Sequence, residues 1–318
     1  MVNNFSKYRT NTHNDWCAGC GDFGILNSIQ MALYDLKIKN HETVIFSGIG
    51  CSGKTPHFIN TYGIHTIHGR VLPFAQGAKI SNPKITVIAV GGDGDGLGIG
   101  AGHFIAAGRR NIDISYIIFN NGVYGLTKGQ PSPTLRRGIK TKNSIHANIN
   151  CNIDPIELAI VSGFTFVARG YSFDMKHLKN LMISSIMHKG LSFLDVIQPC
   201  PTYNDMIFNE NNTGSNEHSS QSYYKLEDTN YDPVINKDDD ELTQHKKLNK
   251  IFMKSRELGH KIPIGVFYQN NIIPSYHDRL NDIMINYDMI PPAFSQISDQ
   301  NNNTTADISK LLDEVSLK

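Results

Sequence analysis

Up to about residue 205, two apolar spacings alternate along the chain. Ile25 to Leu36 repeats its apolar residues at helical intervals, and Val44-Ile45-Phe46 is a short strand leading into glycine. Ile85–Val90, Ile114–Phe119 and Ser192–Ile197 are near-continuous apolar runs, as expected of strands buried on both faces. Gly98 to Arg110 reads as a helix despite its glycines. Asp154-Pro155-Ile156-Glu157 opens another, with Asp as N-cap, Pro at the first helical position and Glu placed to close a capping box. Val161 to Ala168 contains a strand, and Phe173 to His188 is a helix stopped near Gly190. This alternation predicts an α/β fold, a mostly parallel sheet covered by helices on both faces.

The pattern changes after residue 205. Asn209 to Asn230 is rich in Asn, Ser, Glu and Gly and is expected to be a loop, as are residues 296–306. Asp238-Asp239-Asp240-Glu241 opens a helix, because acids favour helix N-termini, and Ile262 to Tyr268 is one more strand. The expected division is therefore 1–205 as the main domain and 206–318 as a polar C-terminal extension. No internal repeat is evident.

Composition narrows the class. The chain of 318 residues is 40% hydrophobic and 19% charged, which suits a soluble globular protein with a substantial core. A formal net charge of +1 gives no footprint for nucleic acid or a membrane surface. No apolar run approaches the ~20 residues of a membrane helix, and Met1 to Asp15 lacks the apolar stretch of a signal peptide, so a cytoplasmic location is expected. Five scattered cysteines do not make a secreted disulfide scaffold. Glycine-flanked thiols in a reducing compartment point to metal.

The strand Ile85–Val90 ends in Gly91-Gly92-Asp93-Gly94-Asp95-Gly96, where glycines let a phosphate approach the backbone and the next helix offers free N–H groups. The strand Ile114–Phe119 ends in Asn120-Asn121-Gly122-Val123. Adjacent parallel strands would bring both loops to one edge of the sheet. The Asp93 carboxylate, the Asn121 amide oxygen and the Val123 carbonyl are then three hard oxygen donors suited to magnesium and a diphosphate. Gly96-x-Gly98-x-x-Ala101 also fits the loose dinucleotide fingerprint, which would make the chain a nicotinamide dehydrogenase. That fold needs an acid at the far end of the next strand. Asp113 precedes its strand, so magnesium diphosphate is preferred over NAD. Cys17-x-x-Cys20, Cys51 and Cys200-Pro201 form a second set, able to bind zinc or an iron–sulfur cluster. Cys151 is expected to be a small packing residue.

Gly92-Asp93-Gly94 followed by Asn120-Asn121 resembles the thiamine-diphosphate motif. With Trp16-Cys17-Ala18-Gly19-Cys20-Gly21-Asp22, Gly50-Cys51-Ser52-Gly53-Lys54-Thr55-Pro56, Ile67-His68-Gly69-Arg70 and Asn120 to Gln130, the chain resembles the beta subunit of 2-oxoacid:ferredoxin oxidoreductases. Cys200-Pro201 and Lys261 to Tyr268 extend the match, which is close over residues 14 to about 205 and looser beyond. The resemblance implies a thiamine-diphosphate-binding fold. It implies magnesium on Asp93, Asn121 and Val123, and cofactor contacts from Ile49, Gly50, Cys51, Ser52, His68, Gly94, Asp95, Gly125 and Leu126. His68 would donate to a diphosphate oxygen, as would the backbone N–H groups of Gly94, Asp95 and Gly125. A [4Fe-4S] cluster is implied on Cys17, Cys20, Cys51 and Cys200. The implied reaction is the coenzyme A-dependent oxidative decarboxylation of a 2-oxo acid, with ferredoxin as acceptor. Lys54 and Lys128 are loop cations that a substrate or coenzyme A carboxylate or phosphate could use. The residues after 205 are too few and too polar for a second thiamine-type domain. In the family the chain resembles, the glutamate that activates the cofactor lies in the alpha subunit, so this chain is expected to be inactive without that partner. By analogy of length and of the Gly77 and Lys261–Tyr268 neighbourhoods, 2-oxoglutarate is favoured over pyruvate. A subunit that keeps the cluster but has lost catalysis is the alternative from another class.

Overall fold

The computed structural model describes residues 5–204, 222–257, 261–305 and 308–316. A mixed sheet forms its centre. Its strands are β1 (Thr43–Ser47), β2 (Tyr62–His65), β3 (Thr86–Gly92), β4 (Ile114–Asn120), β7 (Phe166–Tyr171), β8 (Leu191–Ile197), β9 (Ser222–Lys225), β10 (Val234–Ile235) and β11 (Lys261–Asn270). A separate small hairpin pairs β5 (Val123–Tyr124) with β6 (Gln130–Pro131). The order across the sheet is β10-β11-β7-β8-β4-β3-β1-β2, with β9 also on β11. All pairings in this sheet are parallel except β11 with β7. The helices are α1 (Asp22–Asp35), α2 (Thr55–Phe58), α3 (Val71–Ser81), α4 (Ala101–Arg110), α5 (Pro155–Ser162), α6 (Met175–Met187), α7 (Glu241–Ser255), α8 (Tyr276–Ile283) and α9 (Ser309–Val315). None of the described helices is long and apolar enough to cross a membrane.

The apolar strand runs bury both faces because strand side chains alternate sides. Val44, Phe46, Val87, Ala89, Tyr116 and Phe193 pack on one side with Leu72, Ala75, Phe104 and Ile156 of α3, α4 and α5. Ile45, Ile88, Val90, Ile117, Phe119 and Leu194 pack on the other with Ile25, Ile29, Leu178 and Met182 of α1 and α6. A knot of rings, Phe104, Tyr116, Phe164 and Phe193, fills the first core, with centroids as close as 4.5 Å. Helices thus cover both faces, as the pattern predicts.

Some local expectations are corrected. The Gly98–Arg110 helix is two pieces: a wide π-helical turn over Gly94–Ile99, then α4. Asp154 does cap α5, accepting from the N–H of Ile156 at 2.9 Å and of Glu157 at 3.2 Å. Glu157 does not complete a capping box, because its carboxylate pairs with Arg256 just beyond α7. Asp240 caps α7 as expected, accepting from the Thr243 N–H at 2.8 Å. Of the stretch expected as a loop, 209–221 lies outside the described residues, but 222–225 is strand β9, paired with β11. The sheet therefore continues past residue 205 through β9, β10 and β11. Residues 296–305 carry an isolated bridge, Ser298 to Thr304.

Candidate active site

The C-terminal ends of β1, β3 and β4 open into one pocket of about 230 Å³, at the edge where parallel α/β sheets bind ligands. Ile49, Gly50, Cys51 and Ser52 line it from the loop after β1, and His68 from the loop before α3. Gly92, Asp93, Gly94 and Asp95 enter from β3. Asn121, Val123, Tyr124, Gly125, Leu126 and Thr127 enter from the segment after β4. Every residue expected to touch the cofactor or magnesium is on this wall. Lys54 is not. Its ammonium lies 2.8 Å from Asp15 at the surface. Lys128 is exposed, next to the pocket-lining Thr127.

The acidic groups are held by directed bonds. Asp93 is 1% exposed, and its Oδ2 accepts from the Gly122 N–H at 3.0 Å and from the hydroxyls of Ser132 and Thr134. Burial pushes its carboxyl up, and those donors oppose the shift. Asn121 Oδ1 accepts from the Val123 N–H at 3.0 Å, which curls the turn so that both residues face Asp93's loop. The Asn121 amide also donates to Gln198 Oε1 at 2.9 Å. Glycine is required where the walls touch. A Cβ at Gly94 would lie 2.3 Å from the Tyr124 ring, and one at Gly48 would lie 1.8 Å from Asp95 Oδ2.

Asp95 does more than lend a backbone N–H. Its Oδ1 accepts from the N–H groups of Ile49 at 3.1 Å and Gly69 at 2.8 Å, and meets His68 Nδ1 at 2.7 Å. One carboxylate thereby ties three loops together. It also settles the His68 ring, because the carboxylate draws the proton to Nδ1. The ring so held lines the pocket.

The cysteine segments converge beside this pocket. The Cys20 N–H bonds the Cys17 carbonyl at 3.0 Å, which closes the Cys-x-x-Cys turn. Gly21 N–H reaches the Pro199 carbonyl at 3.4 Å, and Gln198 Nε2 reaches Cys20 Sγ at 3.2 Å, which seats that turn against Cys200. Trp16 Nε1 donates to the Cys51 carbonyl at 2.8 Å. Cys20 lies within electrostatic reach of Cys200 and Cys51, and Cys51 of Cys200 and Cys17. Burial, then the neighbouring Asp22, raises Cys20 strongly and pushes Cys51 up to about 12. Asp22 lines the pocket, and burial lifts it to about 7. Among the described residues no trio of His, Cys, Asp or Glu is drawn tightly enough to cage a single metal ion. Cys17, Cys20, Cys51 and Cys200 are a group of neighbours linked in pairs, and burial of Cys20 and Cys51 disfavours their thiolates unless a cation compensates. Cys151 stands apart from this group and is exposed, not packed.

The sequence reading missed several polar residues behind the pocket: Asn120, Ser132, Thr134, Arg169, Asp195 and Gln198. Arg169 and Asp195 carry a usable signal. Each is a charge in the middle of a buried strand, where only a partner makes it tolerable.

Two family descriptions match the chain. The thiamine pyrophosphate enzyme C-terminal TPP-binding domain matches residues 48–196, and the C-terminal region of the pyruvate ferredoxin oxidoreductase beta subunit matches residues 200–284. The chain is 50% identical over 304 residues to a 2-oxoacid:ferredoxin oxidoreductase subunit beta from Saccharolobus solfataricus, covering 95% of this chain and 96% of that one. It is 41% identical over 193 residues to the 2-oxoglutarate oxidoreductase subunit KorB of Mycobacterium tuberculosis, covering 61% and 52%. Among solved structures it resembles a 2-oxoglutarate:ferredoxin oxidoreductase from Magnetococcus marinus with 2-oxoglutarate, coenzyme A and succinyl-CoA bound. The TM-score there is 0.76 at 27% identity, over 98% of this chain and 96% of that one. With a thiamine-type pocket at the sheet edge and the Saccharolobus relative matched over nearly its whole length, this chain belongs to the beta subunits of the 2-oxoacid:ferredoxin oxidoreductases.

Proposed function

We propose that this subunit binds magnesium thiamine diphosphate and a [4Fe-4S] cluster, and acts with an alpha subunit in the cytoplasm to convert 2-oxoglutarate and coenzyme A to an acyl-CoA and CO2, reducing ferredoxin. The observation that carries the reading is Cys51. It lines the pocket and lies within electrostatic reach of Cys200 and Cys17, which supports one residue serving as the boundary between the two groups. Asp93, Asn121 and the Val123 carbonyl would hold the metal, and His68, steadied by Asp95, would meet the diphosphate. Cys17, Cys20, Cys51 and Cys200 would hold the cluster. When bound, thiamine diphosphate supplies the sink for the electrons left by decarboxylation, and the cluster accepts them singly.

This chain's own residues prepare that chemistry. Phe119 and Leu126 add apolar wall to the pocket, and Tyr124 closes over Gly94. Exposed apolar side chains stand at the pocket: Leu126, 57% exposed, and Ile49, 40% exposed, line it, and Ile67, 69% exposed, precedes His68. An alpha subunit seated on them would exclude water from the pocket and bring the carboxylate that the cofactor's aminopyrimidine requires. Lys54, just past pocket-lining Ser52, and Lys128 are assigned to the carboxylate or phosphate groups of substrate and coenzyme A. Relatives that act on 2-oxoglutarate support that substrate.

The test is ferredoxin reduction by the co-expressed pair, with 2-oxoglutarate and pyruvate in parallel, with and without coenzyme A. The expected result is coenzyme A-dependent reduction that favours 2-oxoglutarate and is absent from this chain alone. A normal rate from this chain alone contradicts the reading. A preference for pyruvate places the enzyme in the pyruvate branch. Lys54→Ala should raise the Michaelis constant for the 2-oxo acid, and an unchanged constant removes Lys54 from the site.

A further inference from the structure

A line of buried polar side chains runs from beside the pocket across the neighbouring strands β4, β8 and β7. Arg169 on β7 is 2% exposed, and its Nε donates to Asp195 Oδ2 on β8 at 2.9 Å. Asp195, 1% exposed, accepts through Oδ1 from the Asn120 amide on β4 at 2.8 Å. The carboxylate accepts only an N–H here, so it fixes which way the Asn120 amide faces and turns Oδ1 toward Thr134, whose hydroxyl lies 2.8 Å away. The same hydroxyl meets Asp93 Oδ2. Its single proton serves one of these acceptors at a time, and the Ser132 hydroxyl, 3.2 Å away, is a further partner of the same oxygen. Arg169 is itself anchored by the Ser255 carbonyl at 3.4 Å, beside Asp154 at 3.9 Å and over the Phe267 ring at 5.2 Å.

A buried ion pair in the middle of apolar strands is a poor source of stability compared with apolar side chains of the same volume. Its bonds instead lead residue by residue to a carboxylate on the pocket wall. We propose that the chain Arg169–Asp195–Asn120–Thr134 sets the orientation of the Asp93 carboxylate, and that Thr134 and Asn120 are positioning residues for the cation this carboxylate holds. The inference rests on the reading of Asp93 as a magnesium ligand. Outer partners of metal-binding carboxylates commonly alter metal affinity about ten- to a hundredfold, which sets the expected scale.

The experiment measures thiamine diphosphate binding to the purified alpha–beta complex by equilibrium dialysis while magnesium is titrated. Thr134→Val should raise the magnesium concentration for half-saturation by about tenfold or more, with binding at excess magnesium little changed. Thr134→Ser, which keeps the hydroxyl, should restore the wild-type value. Asp195→Asn should shift the same midpoint in the wild-type background and not in Thr134→Val, the non-additivity expected of linked residues. A merely structural role predicts loss of binding that excess magnesium does not repair. Asp93→Ala is the control. If it leaves the magnesium midpoint unmoved, the metal-site reading fails and this inference with it. If it moves the midpoint while Thr134→Val stays within twofold of wild type, or Thr134→Ser behaves like Thr134→Val, the positioning chain alone is overturned. If Thr134→Val does not fold, an unmoved midpoint in Asp195→Asn has the same force.

Discussion

The oxygen-lined pocket and the cysteine group sit side by side and are built on opposite principles. Around Asp93, Asn121 and Asp95 the protein makes directed contacts: Gly122, Ser132 and Thr134 hold Asp93 Oδ2, and Ile49, Gly69 and His68 hold Asp95 Oδ1, while Asp95 Oδ2 is buried without a partner. Around the cysteines the hold is thinner: Cys20 Sγ meets the Gln198 amide at 3.2 Å, burial raises Cys20 and Cys51, and Asp22 has neither carboxylate oxygen bonded to an N–H or O–H donor. The pocket is thus prepared before any ligand arrives, because its fixed dipoles need no rearrangement. The thiol site, on the function proposed above, would be completed by the cluster it binds. Loss of metal should therefore leave the pocket's shape intact and disturb the cysteine loops.

Cys200→Ser should separate the two most strongly. We expect iron and ferredoxin reduction to be lost, while magnesium-dependent thiamine diphosphate binding survives; metal analysis and dialysis read both. Asp93→Ala should do the converse, keeping the iron and weakening cofactor binding by more than about a hundredfold, beyond the usual effect of an outer partner. Simultaneous loss of both groups in either variant would dissolve the distinction between the regions. Gly48→Ala should be milder. Its methyl would drive Asp95 Oδ2 from its place, costing about 1–3 kcal/mol by overpacking and loosening His68. Urea unfolding and the kinetic constants check it.

The smallest effect lies at the opposite edge of the sheet. Burial lowers His188 to about 4, and its Nε2 meets the Thr165 hydroxyl at 2.7 Å. The folded state keeps this ring neutral while the unfolded chain protonates below the usual 6.5, so the unfolded state gains protons as pH falls. Stability present above pH 6.5 should decline toward pH 4, by at most about 3 kcal/mol. His188→Gln should flatten that part of the stability profile without altering cofactor binding. An unchanged slope contradicts the assignment.

How much of this was legible depended on whether a residue's role is local. β3, β4 and β8 announce themselves because a strand covered on both faces must be apolar throughout. β2 does not, because it lies at the sheet's edge with all four residues exposed. α3 is masked by Pro73 and Gly77, and β9 sits in a polar stretch whose partner, β11, is nearly forty residues away. The site divides the same way. Asp93, Asn121 and the cysteines stand out through their glycine neighbours and spacing. Arg169, Asp195 and Thr134 acquire meaning only when β7, β8 and the segment after β6 are brought together. Even the expected residues were legible as positions more than as roles, since nothing in the sequence shows that the Asp95 side chain gathers Ile49, His68 and Gly69.

The sharpest single test is electron paramagnetic resonance of the anaerobically purified alpha–beta complex, before and after 2-oxoglutarate is added. Electrons leaving the pocket past Cys51 should produce the signal of a reduced four-iron cluster, absent in Cys200→Ser. A complex that oxidises 2-oxoglutarate while showing no cluster signal, with zinc in place of iron, would contradict it.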